Sequence, residues 1–125
     1  MFEQDYVMRM IREMVRSVLK LVFQIDTNPI TADLLDTRED RELFERLMGL
    51  IEDGKITEAE ELVGILGRDG SNSSLKVTLL FYSALNEKPD AFLEANGFSR
   101  EQIKTGLKQA AKRFALEDIA DLFLA

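Results

Sequence analysis

The amino-acid sequence predicts an all-α fold in a single domain spanning residues 1–125. Apolar residues recur three and four positions apart in successive segments, which is the spacing of one face of an α-helix. No segment of useful length alternates apolar and polar residues as a strand does. The chain contains only two prolines and seven glycines, which suits long helices better than short strands joined by tight turns.

Residues 1–25 form the clearest helical segment, a long amphipathic helix with an unusually wide apolar side. At about 100° per residue this side covers about half of the helix surface, more than a helix lying on one core needs. We identify eight candidate interface residues on it: Met8, Met10, Ile11, Met14, Val15, Val18, Leu19 and Val22. Because methionine adapts to varied partners, we expect this side either to pack on the other helices or to bury itself against a second copy.

The opposite side of this helix carries a candidate charged face of four basic residues: Arg9, Arg12, Arg16 and Lys20. Residues 1–25 contain these four basic residues and three acidic residues, whereas the remaining hundred residues carry 12 basic and 20 acidic side chains. The face is therefore expected to be solvated or to dock on an acidic surface. Peripheral association with anionic lipid through residues 1–25 is a weaker alternative.

A first helical hairpin is predicted over residues 39–67, after Asp26-Thr27-Asn28-Pro29 ends the long helix. Its first helix spans about 39–53 and is stopped by Gly54, as a residue in the left-handed conformation would do. The next helix is predicted to begin with a capping box formed by Thr57 and Glu60.

A second hairpin is predicted over residues 74–96, and two capping helices are predicted over residues 99–124. The first of these begins with a complete start signal, in which Ser99 is the N-cap and Gln102 closes the capping box. Because the linkers between helices are short, each hairpin should fold back as an antiparallel pair.

The two hairpins show an internal similarity at a shift of 32 residues, which pairs Leu43 with Leu75 and Gly54 with Asn86. These residues resemble the tetratricopeptide pattern, whose repeat is close to this length. The resemblance implies antiparallel hairpins stacked in a right-handed array with the terminal helices as caps. A chance coincidence of two helical periodicities is the alternative.

The composition argues against several classes of function. The chain has no cysteine, histidine or tryptophan, so thiol nucleophiles, thiolate metal sites and the Ser-His-Asp constellation are excluded. The formal net charge of −7 argues against general nucleic-acid binding. The acidic start and the absence of a long apolar run predict a cytoplasmic protein without a membrane span. We therefore expect no enzyme activity, no cofactor and no resident metal.

Acidic residues between Asp33 and Asp40 offer one alternative to this expectation. Asp33, Asp36 and Asp40 are spaced so that oxygen atoms could hold a divalent cation or a small ligand. The same acids are also favoured at the first turn of a helix by the helix dipole.

Nearly the whole chain resembles a family of small bacterial proteins of unknown function, mainly from Firmicutes. Four segments carry the resemblance: QDYVMRMI at 4–11, GKITEAE at 54–60, FYSALN at 81–86 and FSREQI at 98–103. The resemblance implies a bacterial, cytoplasmic, helical and repeat-like protein, and it implies no activity or ligand. Together these patterns predict a non-enzymatic helical protein-interaction module that forms a homodimer through residues 1–25.

Overall fold

The computed structural model describes residues 2–27 and 29–124, with side chains from residue 5 onward. These residues form only helices, turns and loops, so the all-α prediction is confirmed. The helices are α1 (Phe2–Phe23), α2 (Arg38–Glu52), α3 (Ile56–Leu66), α4 (Asn72–Asn86), α5 (Asp90–Ala95), α6 (Arg100–Arg113) and α7 (Glu117–Leu124). Two 3₁₀ turns, Ala32–Leu34 and Gly67–Asp69, lie in the connections.

Helix α4 lies at the centre of the molecule. Every residue from Ser74 to Tyr82 is buried, because this helix is apolar on nearly all sides and packs on α1, α2, α3 and α6. Phe81 is fully buried, and its ring meets that of Tyr82 edge to face at 5.0 Å. A helix surrounded in this way organises one continuous core.

Helix α1 packs on three other helices, α4, α6 and α7. It ends at Phe23, two residues before the predicted end, where Gln24 takes a left-handed conformation with φ of 56°. The Ile25 amide then donates to the Leu19 carbonyl at 3.1 Å and closes the last turn. The predicted stop depended on Asn28, which lies outside the described residues.

The turn between α2 and α3 confirms one prediction and corrects another. Gly54 has a φ of 79°, and the Lys55 amide donates to the Leu50 carbonyl at 2.8 Å, which is the Schellman arrangement. The predicted capping box at Thr57 is wrong: α3 already begins at Ile56, and its N-cap, Lys55, makes no side-chain capping bond. Ile56 is buried, so core packing begins the helix before a polar cap is reached.

The caps of α4 and α6 are formed by serines. Helix α4 begins at Asn72, two residues earlier than predicted, because the Ser71 hydroxyl accepts the Ser74 amide at 3.1 Å. Ser99 accepts the Gln102 amide at 3.2 Å, so the predicted cap of α6 is confirmed. Both serines satisfy an amide that has no partner within its own helix.

The two predicted hairpins differ in the structure. Helices α2 and α3 pack on each other, and both contact α4. Helix α5 has only six residues and is not among the close partners of α4 within the described chain. Asn86, the sequence counterpart of Gly54, is the last residue of α4 and is buried, whereas Gly54 lies outside α2 in the left-handed region.

Candidate interaction surface

The predicted apolar interface on α1 is largely occupied within the chain itself. Five of its eight residues are buried in the core: Ile11, Met14, Val15, Val18 and Leu19. The other three, Met8, Met10 and Val22, are half-buried at the margins of the helix. The surface that α1 still offers to another molecule is therefore its outer side.

The four basic residues of α1 lie on this outer side, but they are not equivalent. Arg12 donates to Glu87 through Nε at 3.1 Å and through Nη2 at 3.0 Å. Lys20 lies 3.6 Å from Asp26 in an exposed ion pair. Arg9 and Arg16 are exposed, and no ion pair within the described residues involves them.

A shallow depression of about 340 Å³ lies beside Arg12 and Arg16. Its walls are completed by Pro29, Ile30, Ser83 and Glu87. Guanidinium groups beside a hydroxyl suit a carboxylate or phosphate. Here Arg12 already donates hydrogen bonds to the carboxylate of Glu87. The positive charge of Arg12 in the depression is therefore neutralised within the chain.

Large exposed apolar side chains indicate a second candidate interaction region, away from this depression. Three of the four in the described chain lie on α1 and α7: Tyr6 is 61% exposed, Leu21 65% and Leu122 79%. Helices α1 and α7 pack against each other, and both bury their inner sides in the same core. The outer side of each helix remains exposed to solvent.

Helix α7 adds only negative charge to these exposed sides. Ala120 and Leu124 are buried on its inner side, whereas Glu117, Asp118 and Asp121 are exposed. We call the combined region the α1–α7 surface, formed by Tyr6, Arg9, Arg16, Lys20, Leu21, Glu117, Asp118, Asp121 and Leu122. The sequence prediction included only its basic part. The sequence indicated a helix at α7 from its apolar residues among polar ones. This pattern alone did not show which side of the helix is exposed.

The remaining exposed apolar residue of the described chain, Ile65, belongs to α3. It is 56% exposed and borders two shallow depressions. The charged residues around these depressions are Arg46, Glu58, Glu61, Arg68 and Arg113. Both signs occur there, so this region has no dominant charge.

The acidic residues considered for a metal take part in separate contacts. Asp36 accepts a hydrogen bond from Lys76 Nζ at 3.0 Å, and Asp40 accepts one from the Ser73 hydroxyl. Asp33 is exposed in the first 3₁₀ turn. Among the side chains that the structure describes, in residues 5–27 and 29–124, no group of three or more acidic side chains is arranged to hold a metal ion.

The buried polar groups hold the helices together. The Arg100 guanidinium donates to the Lys88 carbonyl at 2.8 Å, to Asp90 at 2.6 Å and to the Asn86 carbonyl. Asn86 in turn donates to the Met8 carbonyl at 2.9 Å. This network joins the end of α4 to α1 and α6, and cations are favoured at such helix ends.

Tyr82 and Glu60 form a second, partly buried polar contact, in which the tyrosine hydroxyl donates to the carboxylate at 2.9 Å. Burial raises the pKa of Glu60 above its ordinary value, against the lowering effects of Tyr82 and Arg113. Burial and the neighbouring carboxylate raise the pKa of Tyr82 far above its ordinary value. The tyrosine therefore remains a hydrogen-bond donor, a structural role at the contact of α3 with α4.

The described residues thus form a small all-α protein whose helices pack around one core. Residues 1–115 match a family of unknown function (DUF6483), and the chain belongs to this family. No curated protein and no solved structure gives a significant match. Within the described residues, no helix is both long and apolar enough to cross a bilayer.

Proposed function

We propose that this protein is a non-enzymatic helical interaction module that self-associates through the outer side of α1. The observation that supports this proposal best is the concentration of exposed apolar side chains on α1 and its neighbour α7. Leu21 and Leu122 are both more than 60% exposed, and each has one charged neighbour in the chain, Lys20 and Asp121 respectively. Apolar groups with a polar rim are typical of interaction sites.

The role of the predicted interface residues changes in this proposal. Ile11, Met14 and Val18 are needed for the core, so they support the surface from below and do not contact a partner. Met10 and Leu21 lie at the margin of the same helix and remain partly accessible. Self-association would therefore involve residues 1–25 through a different side of the helix than the wide apolar one.

The proposal includes a cytoplasmic setting in a bacterium and a tetratricopeptide-like right-handed stacking of hairpins. The lack of cysteine fits a reducing compartment, and the QDYVMRMI segment resembles the bacterial family. The packing of α2 on both α3 and α4 supports the stacking of at least the first hairpin on the next helix. No observation favours a small-ligand or metal function at Asp33, Asp36 and Asp40, since Asp36 and Asp40 engage different partners.

Sedimentation velocity over a wide concentration range tests the proposal. We expect the full chain to form a larger species as concentration rises and Leu21→Glu to weaken this association. Ile65→Glu is the matched control, because it places the same charge at a comparably exposed apolar site on α3. Deletion of residues 1–25 is unsuitable, since it would remove Ile11 and Val18 from the core.

Three results have distinct meanings. Weakening by Leu21→Glu alone supports the outer side of α1 as the association surface. Weakening by Ile65→Glu alone contradicts it and assigns association to α3. A native chain that sediments as a monomer at every concentration contradicts self-association.

A further inference from the structure

We propose that the depression beside Arg12 and Arg16 binds a small organic carboxylate, an ionised acid with a short apolar chain. Its volume is about 340 Å³. Helix α1, the connection that follows it and the end of α4 supply the lining residues Arg12, Arg16, Pro29, Ile30, Ser83 and Glu87. This binding site goes beyond the self-association proposed above and does not depend on it.

The wall of the depression already binds one carboxylate, that of Glu87. Arg12 donates to Oε1 of Glu87 through Nε at 3.1 Å and through Nη2 at 3.0 Å. The same Nη2 also donates to Oε2 at 3.2 Å. Contacts of a guanidinium group with both oxygens of a carboxylate are strong and fix its orientation. Arg12 and Glu87 therefore hold each other in place, and their opposite charges cancel.

Arg16 supplies the positive charge that remains in the lining. Its side chain is exposed, and no ion pair within the described residues involves it. Glu13 is the nearest acid in the sequence, three positions earlier on α1, but it does not line the depression and forms no ion pair with Arg16. The lining thus carries one net positive charge, which a monoanion would neutralise.

The Ser83 hydroxyl adds a neutral hydrogen-bond donor to the lining. Two other hydroxyls of α4 donate within the chain, Ser73 to the Asp40 carboxylate and Thr78 to the Ser74 carbonyl. Among the described residues, no such bond involves the hydroxyl of Ser83, which is half-buried. A hydroxyl and a guanidinium group can together satisfy the oxygens of one carboxylate.

The size and the apolar part of the depression narrow the class of ligand. The volume lies at the lower end of the roughly 300–1,000 Å³ of ligand sites, which fits a small molecule. Pro29 and Ile30 make part of the lining apolar and suit a hydrocarbon chain. A phosphate carries more than one negative charge at neutral pH and would leave part of it uncompensated beside Glu87. These observations favour a carboxylate with a short apolar chain over inorganic phosphate.

Titration of the isotope-labelled protein with butanoate, followed by nuclear magnetic resonance, tests the inference. We expect saturable shifts of the amide signals around Arg16, Ile30 and Ser83. The dissociation constant should be on the order of a millimolar, because the depression is shallow and the ligand is small. Butanamide has the same chain without the charge, and inorganic phosphate has charge without the chain. Each should bind at least about fivefold more weakly than butanoate.

Loss of the free guanidinium group is the first variant. Arg16→Gln should weaken butanoate binding about tenfold or more, since a hydrogen bond to a charged group is lost. Arg9→Gln is the matched control, because Arg9 is also exposed on α1 and does not line the depression. Arg68→Gln is a second control, because Arg68 lines a different depression, beside Ile65. Both controls should leave the affinity within about twofold of the native value.

Loss of the internal carboxylate is the second variant, and it should strengthen binding, which a folding defect cannot imitate. Glu87→Gln removes a negative charge from the depression and releases Arg12 for the ligand, so butanoate should bind several-fold more tightly. Glu52→Gln is the matched control, because it removes the same charge from an exposed ion pair with Lys88 outside the depression. Circular dichroism melts establish that each variant is folded.

Binding that Arg16→Gln weakens and Glu87→Gln strengthens supports the inference. Equal effects of Arg9→Gln and Arg16→Gln would overturn it, because general attraction by the net charge would then account for the binding. Butanamide or phosphate binding as tightly as butanoate, or signals around Arg16 and Ser83 that do not respond to butanoate, would also overturn it. None of these results bears on self-association, so the proposed function stands or fails separately.

Discussion

Gly106 shows at the scale of single residues how closely α6 approaches its neighbours. A side chain at this position would place its first carbon 2.7 Å from the Tyr82 hydroxyl oxygen and in collision with the Glu60 carboxylate. The glycine thus permits the hydrogen bond between Tyr82 and Glu60 to lie directly against the helix. Gly49 on α2 is the opposite case, because no atom lies within 4 Å of the place that a first side-chain carbon would take there.

We expect Gly106→Ala to destabilise the protein by about 1–3 kcal/mol, because the added methyl group would collide with the Glu60 carboxylate and the Tyr82 hydroxyl and disturb the hydrogen bond between them. Gly49→Ala should instead stabilise it by up to about 1 kcal/mol, since alanine is the better helix former and meets no neighbour. Urea unfolding of both variants measures these changes. Equal effects of the two substitutions would contradict the close approach of α6.

The raised pKa of Glu60 predicts a specific dependence of stability on pH. Between the ordinary value of 4.5 and the raised value, the folded protein binds more protons than the unfolded chain. The free energy of unfolding must therefore fall as pH rises through this interval. Glu60→Gln removes the titrating group, so the variant should gain stability relative to the native chain as pH is raised.

Urea unfolding at neutral pH and at a pH below 4.5 measures this gain. Glu61→Gln is the matched control, because Glu61 is the exposed neighbour on the same helix. A Glu60→Gln difference that is identical at both pH values would contradict burial as the cause.

Several contacts of single residues were not predictable from the sequence. Lys76 is buried, and its amine donates a hydrogen bond to the Leu34 carbonyl at 3.1 Å. The same amine lies 4.9 Å from the centre of the Phe23 ring. Arg100 likewise binds groups 10–14 positions earlier in the chain. A periodic pattern predicts that such charged residues are exposed to solvent. It contains no information on which distant segments of the chain will pack over them.

At the scale of the structural element, a local capping signal predicted the start of α6 correctly but not the starts of α3 and α4. Ser99 caps α6 as expected, whereas Thr57 has the right sequence context and still does not cap α3. The difference lies in the preceding residue, since Ile56 is buried and extends α3 toward the turn. Local capping signals are therefore reliable only where the core makes no competing demand.

We predict that Ser99→Ala lowers the free energy of unfolding by about 1 kcal/mol, because the Gln102 amide loses its acceptor. Thr57→Ala should change stability little or raise it slightly, since Thr57 is exposed within the helix and alanine has the higher helix propensity. Thermal and urea unfolding measure both. A larger loss at Thr57 than at Ser99 would contradict the assigned start of α3.

The width of the apolar side of α1 was predictable, but its partners were not. The excess width reflects contact with three helices of the same chain, α4, α6 and α7. A sequence pattern gives the angle that a helix buries and cannot distinguish several partners in one chain from a partner in another. For this reason self-association and core packing were equally compatible with the sequence.

At the scale of the whole molecule, the buried polar groups join helices to one another. The candidate interaction surface consists of exposed apolar and charged side chains. Tyr82, Glu60 and Arg100 connect helices to each other. Leu21 and Leu122 remain exposed on two helices that pack against each other, and all charged residues of α7 are acidic. The sequence predicted the basic half of this surface and missed the acidic half, because only the packing of α7 reveals which of its residues face outward.

Nuclear magnetic resonance of the backbone amides over a dilution series tests self-association through the α1–α7 surface most directly. We predict that raising the protein concentration shifts signals around Arg16, Leu21, Asp121 and Leu122, while signals around Ile65 stay unchanged. Signals that do not move with concentration, or that move only around Ile65 on α3, would contradict it.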